Sequence, residues 1–343
     1  MKILVLYRKG TSCDYHRVFM PLRLLPLENG EEINFKPEDE ECRTVDFKVD
    51  LVIFNRHPHR DLSQVLKMKK EYGFKMWVDI DDSWELEKEH YLYEEWKRAK
   101  IGDLIIKSMS EADILTVTNT RLLRKVAPIN SKCIIIPNAL PIGHEQFIPN
   151  RTESSFLRFL YAGGPSHYGD LKKIDEYFKM CGRNLIMLSK VKFIMAGYNP
   201  NYKEKSLKDM NDIMSSSPNY ETRLALPLER YMDHYNYADI AIAPVDSNLF
   251  NHYKSNLKTI EAGCMGVPLI ASRCFPYIED EEMSDKGIFF CSNIKEWYDT
   301  TLMLARNPET VLKAGETLYQ YVKSKYDLLE INKLRRKIIN SFK

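Results

Sequence analysis

The stretch YKSNLKTIEAGCMGVPLIAS, residues 253–272, decides how the chain is read. Ser255 and Asn256 are of the residue types whose side-chain oxygens accept from the free N–H groups of a helix start. A helical run follows, interrupted by Gly263 and Gly266. Val267, Pro268, Leu269, Ile270, Ala271 and Ser272 then form the short apolar run of a buried parallel strand. Lys254, Lys258 and Glu261 fall at i, i+4 and i+7, so one helix would carry all three on one face. Two cations and a carboxylate beside a helix N-terminus suit a ligand with phosphates and a sugar diol. The helix dipole and its N–H groups attract phosphate, and a carboxylate accepts from two hydroxyls. Charges at this spacing are equally common on solvated helix faces, and that reading stands beside the first.

The chain has 343 residues, more than one ordinary core accommodates, which predicts two domains. Its 44% hydrophobic content is that of a globular protein. Fifty basic residues nearly cancel 48 acidic ones, which argues against a protein that coats nucleic acid through overall charge. No apolar run approaches the roughly 18 residues of a membrane span. The opening run Lys2-Ile3-Leu4-Val5-Leu6-Tyr7 is too short for a signal peptide. Cysteines 13, 42, 133, 181, 264, 274 and 291 are odd in number and contain no CxxC. They read as free thiols, with no zinc site, in a reducing cytoplasm.

Outward from that stretch, strands and helices alternate. Residues 2–7 read as a first strand, followed by a loop in which Ser12 or Asp14 caps a helix opening with Tyr15, His16 and Arg17. Residues 28–48 read as polar connection. Leu51 to Phe54 form a strand ending in Asn55-Arg56-His57-Pro58-His59-Arg60, the place where an α/β sheet presents ligand groups. A solvated loop is the alternative. Lys75 to Ile80 form a strand, with Asp79, Asp81 and Asp82 at its end. Such carboxylates orient a sugar or act as a base; a metal is the weaker reading, since no further ligand cluster supports it. Trp84 can stack on a sugar or base, although packing is the commoner use. Strands at 112–117 and 133–136 complete the first series, and 141–155 reads as a linker. A second series opens with a strand at 156–161 and the turn Ala162-Gly163-Gly164-Pro165-Ser166-His167. Its glycines let backbone approach a ligand, and the helix after it can hold a phosphate. Strands at 191–196, 240–244, 267–272 and 287–290 follow, then helices at about 293–305, 309–324 and 328–341.

In order, Tyr161-Ala162-Gly163-Gly164-Pro165-Ser166-His167 with Asp170-Leu171, then Ala238-Asp239-Ile240-Ala241-Ile242-Ala243-Pro244, then residues 253–272, resemble the GT-B glycosyltransferases. The likeness is to the family-four-like group in its bacterial and phage-type members. Tyr15-His16-Arg17, residues 78–84 and Ile136-Pro137-Asn138-Ala139 look like segments of the same group. The resemblance implies an α/β protein of two Rossmann-like domains, with parallel sheets facing across a cleft and C-terminal helices. Residues 1–145 would form the acceptor-side domain and 155–325 the nucleotide-sugar domain, with a C-terminal helix in 326–343 packing back on the first. It implies a UDP-sugar donor as co-substrate, no cofactor and no metal, and a retaining transfer of a hexosyl or pentosyl group. Glu261 would take the ribose hydroxyls. Lys258, Lys254 and the amides near Ser255, Asn256 and Leu257 would take the diphosphate. Gly163, Gly164, Ser166 and His167 would face phosphates or sugar, and Arg223 and Leu224 the base. Tyr253 stands where the family commonly carries a second glutamate.

Transfer builds positive charge at the anomeric carbon and negative charge on the leaving diphosphate, which cations and a helix start stabilise. An inverting enzyme needs a base, for which Asp81, Asp82 and His16 are candidates beside His167. In a retaining one the leaving phosphate can take the proton. Tyr15, Arg17, Arg56, His57 and Trp84 fall on the acceptor side, where the acceptor is a glycan, a lipid-linked or small molecule, or a hydroxylated base of phage DNA. The DNA reading needs a basic groove from Arg8, Lys9, Arg17, Arg23, Arg56, His57, His59 and Arg60. A non-catalytic nucleotide-sugar-binding protein and a sugar-nucleotide epimerase share the architecture.

Overall fold

The computed structural model describes residues 1–38, 45–58, 61–88, 90, 92–199, 205–278 and 286–343. The chain divides into two units. Residues 1–139, 252–255 and 328–343 make the first, and 140–251 with 256–327 the second.

Six strands of the first unit pair in the order β2-β1-β3-β4-β5-β6, all parallel. They are β1 (Lys2–Tyr7), β2 (Glu32–Pro37), β3 (Leu51–Asn55), β4 (Lys75–Ile80), β5 (Ile114–Val117) and β6 (Cys133–Ile135). β3 is buried along its whole length, as a continuous apolar run requires. The strand order reverses between β1 and β3, so the crevice beyond their carboxyl ends is where an open α/β sheet takes a ligand. β2 corrects the expectation of a polar connection at 28–48. It is an edge strand, with apolar residues only at Ile33 and Phe35 before Pro37, and its alternation lacks the apolar run of a central strand.

The segment after β1 also departs from expectation. Thr11, with no side-chain bond to the helix, stands at the cap position where Ser12 or Asp14 was expected. Asp14 instead accepts from Arg8, whose Nη2 lies 2.5 Å from Oδ1. Tyr15–Phe19 form a π-helical turn that leads into the helix Met20–Arg23. Pro21 has no N–H for the α-helical ladder, and the Met20 N–H reaches back to the Tyr15 carbonyl.

That turn buries Arg17 against the end of β4. Its Nε and Nη2 donate to Asp79 at 2.9 and 2.8 Å, its Nη1 to Asn138 Oδ1 at 3.0 Å and its Nη2 to the Ile136 carbonyl at 2.9 Å. Thr116 of β5 donates to the same carboxylate at 3.0 Å. The arginine and aspartate side chains are 1% and 4% exposed. Arg335, from the C-terminal helix Leu328–Asn340, is buried beside this pair.

The second unit repeats the plan in the order β12-β11-β10-β7-β8-β9, again all parallel. Its strands are β7 (Leu157–Ala162), β8 (Val191–Tyr198), β9 (Glu221–Leu224), β10 (Ile240–Ala243), β11 (Leu269–Ser272) and β12 (Ile288–Cys291). Here the order reverses between β7 and β10. Residues 141–155, expected as a linker, belong to this unit: Leu140 N–H donates to the Tyr326 carbonyl at 3.1 Å, and Phe147 is fully buried. The buried Phe147 side chain anchors the segment despite its prolines and polar residues.

The helix Leu257–Cys264 keeps Gly263 because the helix Pro308–Tyr326 passes too close for a side chain. A Cβ there would lie 2.4 Å from Val322 Cγ2. Among the described residues no helix is long and apolar enough to cross a membrane.

Replacing Arg17 by Ala leaves Asp79 buried without its cation. The expected loss is about 3–5 kcal/mol, read as earlier urea unfolding of the first unit.

Candidate functional site

In the second unit, the chain leaves β7 through Gly163 and Gly164 at the point where the strand order reverses. A Cβ on Gly163 would sit 2.6 Å from the Tyr161 hydroxyl, so the buried ring behind the turn requires glycine. Pro165–His167 form a 3-10 turn that opens the helix Tyr168–Lys173. Asp170, buried on that helix, accepts from His167 Nδ1 at 2.8 Å. Its other oxygen accepts the Asp246 N–H at 2.8 Å and Asn251 Nδ2 at 3.1 Å. One carboxylate therefore ties the glycine turn to the loop beyond β10.

Lys258 and Glu261 lie on the helix that follows this loop. Lys258 Nζ donates to Glu261 Oε2 at 2.8 Å and to the Tyr231 hydroxyl at 2.6 Å. The Tyr235 hydroxyl donates to the same glutamate oxygen at 2.9 Å. Burial works against the Lys258 ammonium, but Glu261 and Tyr231 more than offset it and hold its pKa well above the usual range. Glu261 is 2% exposed, whereas Lys258 keeps a quarter of its side chain in solvent. Lys258 is therefore partly open to solvent while the buried carboxylate anchors its ammonium. At the far side of the sheet the Arg223 guanidinium lies 3.4 Å from the centre of the Tyr237 ring, and Leu224 is exposed.

In the first unit, polar groups collect at the carboxyl ends of β1, β3 and β4. Arg56 holds a left-handed backbone, φ 60°, and its N–H donates to the Asp79 carbonyl at 2.7 Å. Its Nε donates to Asp81 Oδ1 at 2.8 Å, and Asn55 Nδ2 donates to the same oxygen at 3.1 Å. Lys254 lies close enough to Asp82 to act on its charge. Residues 252–255 are held here by their backbone: Asn119 Nδ2 donates to the Tyr253 and Lys254 carbonyls at 3.1 and 3.2 Å. Lys125 lies over both the Trp84 and Tyr253 rings, at 4.7 and 4.3 Å from their centres.

No protein-family description and no curated protein matches the sequence. Solved structures do. HepE of Anabaena, crystallised with UDP-glucose, superposes with a TM-score of 0.69 at 10% identity, covering 99% of this chain and 100% of that one. Sucrose-phosphate synthase of Thermosynechococcus elongatus gives 0.68 at 12% identity, covering 99% and 100%. A glycosyltransferase of Rickettsia africae gives 0.66 at 12% identity, covering 99% and 98%. Each of these structures is covered over nearly its whole length, so both units of this chain have counterparts there. The chain has the GT-B fold. At such identities the likeness carries the fold and leaves the chemistry to this chain's own side chains.

Within the GT-B fold the expected residues separate into two groups. Gly163, Gly164, Ser166, His167, Arg223, Leu224, Asn256, Leu257, Lys258 and Glu261 all belong to the second unit. Lys254 and Ser255 do not. The helix starts at Leu257, so Lys254 is not on a common face with Lys258 and Glu261, and it lies with Asp82 in the first unit. The expected caps differ too: Ser255 Oγ accepts from Asn138 at 2.6 Å, and Asn256 Nδ2 donates to the Tyr326 hydroxyl at 2.9 Å. Tyr15 and His16 are buried edge to face, His57 is buried with Nδ1 donating to the Pro58 carbonyl, and Trp84 lies in the core. Of the arginines expected to build a basic groove, Arg8, Arg17 and Arg56 are each paired with a carboxylate. His59, Arg60 and Cys42 lie outside the described residues. Sequence reading missed Tyr231 and Tyr235; their spacing of four, just before the Ala238–Asp239 motif, was the available signal.

His234, between these tyrosines and 2% exposed, has no hydrogen-bond partner for either ring nitrogen among the described residues. Burial, with Arg223 adding to it, lowers its pKa from 6.5 to about 4. The unfolded chain therefore takes up the proton first. Stability from this group is full above pH 6.5 and falls as pH drops toward about 4, by about 3 kcal/mol in all. Denaturant unfolding at several pH values should show this slope, and His234→Leu should remove it.

Proposed function

We propose that the chain is a glycosyltransferase that moves a sugar from a UDP-sugar to an acceptor hydroxyl. The observation that carries this reading is the partly exposed Lys258, anchored by Glu261 and Tyr231, with Tyr235 donating to the same glutamate, on a helix beyond the glycine turn. The crystallisation of HepE with UDP-glucose supports a uridine donor.

In this reading the diphosphate lies against Lys258 and the backbone of Gly163 and Gly164. A cation already in place at the leaving group lowers the barrier, because no reorganisation is needed as negative charge develops there. Glu261 Oε2 is occupied by lysine and tyrosine, and Oε1 remains to accept from the ribose hydroxyls. Arg223, stacked on Tyr237, borders the base. Lys258 and the turn supply the charge that a metal supplies in other transferases, so the reaction proceeds without a metal or other cofactor. The donor is a co-substrate.

Glu261→Ala should weaken UDP binding by at least about tenfold, a loss of about 1.4 kcal/mol by calorimetry, with an unchanged circular dichroism spectrum. Unaltered affinity would remove the ribose assignment. Turnover should persist in excess chelator; complete loss that manganese restores would show that a cation is required.

A further inference from the structure

The stretch Leu228–Tyr237, between β9 and β10, is wound throughout as 3-10 helix. About three residues per turn place Tyr231, His234 and Tyr237 in one row, which the roughly 3.6 residues of an α-helical turn would spread apart. The Tyr231 and His234 rings meet edge to face at 5.9 Å, and the Arg223 guanidinium lies over Tyr237. Runs of this winding longer than about four residues are uncommon, and this one is braced from outside. Gln146, on the 3-10 turn Glu145–Phe147, donates from Nε2 to the Leu228 carbonyl at 2.9 Å, and its Oε1 accepts the Met232 N–H at 3.0 Å. One amide side chain thus grips the backbone on both sides of Tyr231.

Tyr231 meets Lys258 through its hydroxyl. An ammonium has three N–H donors. One from Lys258 goes to Glu261 Oε2 at 2.8 Å and a second to the Tyr231 hydroxyl at 2.6 Å. With two directions taken, tetrahedral geometry fixes the third. The same hydroxyl donates to the carbonyl of Ala162, the residue before Gly163, at 3.4 Å, so it touches both the lysine and the glycine turn. The ammonium also lies 5.0 Å from the centre of the Tyr231 ring, an attraction that does not need the hydroxyl.

We propose that Tyr231 is a positioning residue for the leaving diphosphate: its hydroxyl, together with Glu261, aims the third Lys258 N–H at the β-phosphate, and Gln146 holds the turn that presents it. This rests on the transferase reading above, and every residue it uses belongs to the second unit. Negative charge develops on the β-phosphate as the bond to the sugar breaks. Without the hydroxyl the ammonium keeps its charge, its bond to Glu261 and the ring beneath it, but it turns about the Cε–Nζ bond. An N–H must then be reoriented toward the phosphate instead of standing in place.

The test compares UDP and UMP affinities by calorimetry at one ionic strength, a ratio that isolates the β-phosphate and needs neither donor sugar nor acceptor. Tyr231→Phe should weaken UDP binding by about fivefold to tenfold and leave UMP binding unchanged. Lys258→Met should lose more of the same ratio, and adding Tyr231→Phe to it should cost nothing further, because the hydroxyl acts through the ammonium. Gln146→Leu should move the ratio in the same direction, again with UMP affinity unchanged. An unchanged ratio in Tyr231→Phe overturns the proposal, and one in Gln146→Leu overturns the brace. Equal losses of UDP and UMP overturn it too, since they mark a structural role or a contact with the nucleoside. Additive losses in the double variant do the same, by showing that Tyr231 acts without Lys258. If the wild type binds neither nucleotide, the donor reading falls and the positioning role falls with it.

Discussion

The buried pair of Arg17 and Asp79 is the contact on which the first unit depends. An isolated charge in that position would cost several kcal/mol, so each partner is tolerable only because the other is present. The guanidinium also donates to Asn138 and the Ile136 carbonyl, and the carboxylate also accepts from Thr116. The pair thus joins the turn after β1, the end of β4, the middle of β5 and the chain beyond β6. The two residues after Asp79 and Ile80 inherit that position. Asp81 and Asp82 are presented at the sheet's carboxyl edge because the residue before them cannot move.

The second unit meets the same physical problem with the opposite emphasis. Glu261 is as deeply buried as Asp79, and its satisfied oxygen faces Lys258 and Tyr235. Its cation, however, is only partly covered. In the first unit the arginine is consumed within the fold; in the second the lysine keeps one side toward solvent and stays available to an anion. Burial of the carboxylate makes this arrangement specific, because without Glu261 the same burial would drive the ammonium toward its neutral form.

Much of the architecture was legible in the sequence. Continuous apolar runs such as residues 51–54 have no other stable home than a sheet covered on both faces. Glycine turns placed directly after them marked where backbone comes near a ligand. β2 was not legible, because an edge strand with Ile33 and Phe35 as its only large apolar residues has the composition of a loop. Residues 141–155 misled for the converse reason: proline and polar content suggested a linker, while Phe147 and Leu140 pin the segment to the second unit.

The opening stretch shows where the division falls. Its order alone determined a helix followed by a buried strand, and placed Lys258 and Glu261 one turn apart, since periodicity is a local property of the chain. Only the tertiary structure decided that Lys254 leaves this group. The helix begins three residues later, and hydrogen bonds from Asn119 hold the Tyr253 and Lys254 backbone in the first unit beside Asp82. Sequence spacing likewise treated Asp81 and Asp82 as equals. Their difference comes from Arg56, Asn55 and Cys13, which are distant along the chain and meet Asp81 only because β1, β3 and β4 are neighbours in one parallel sheet.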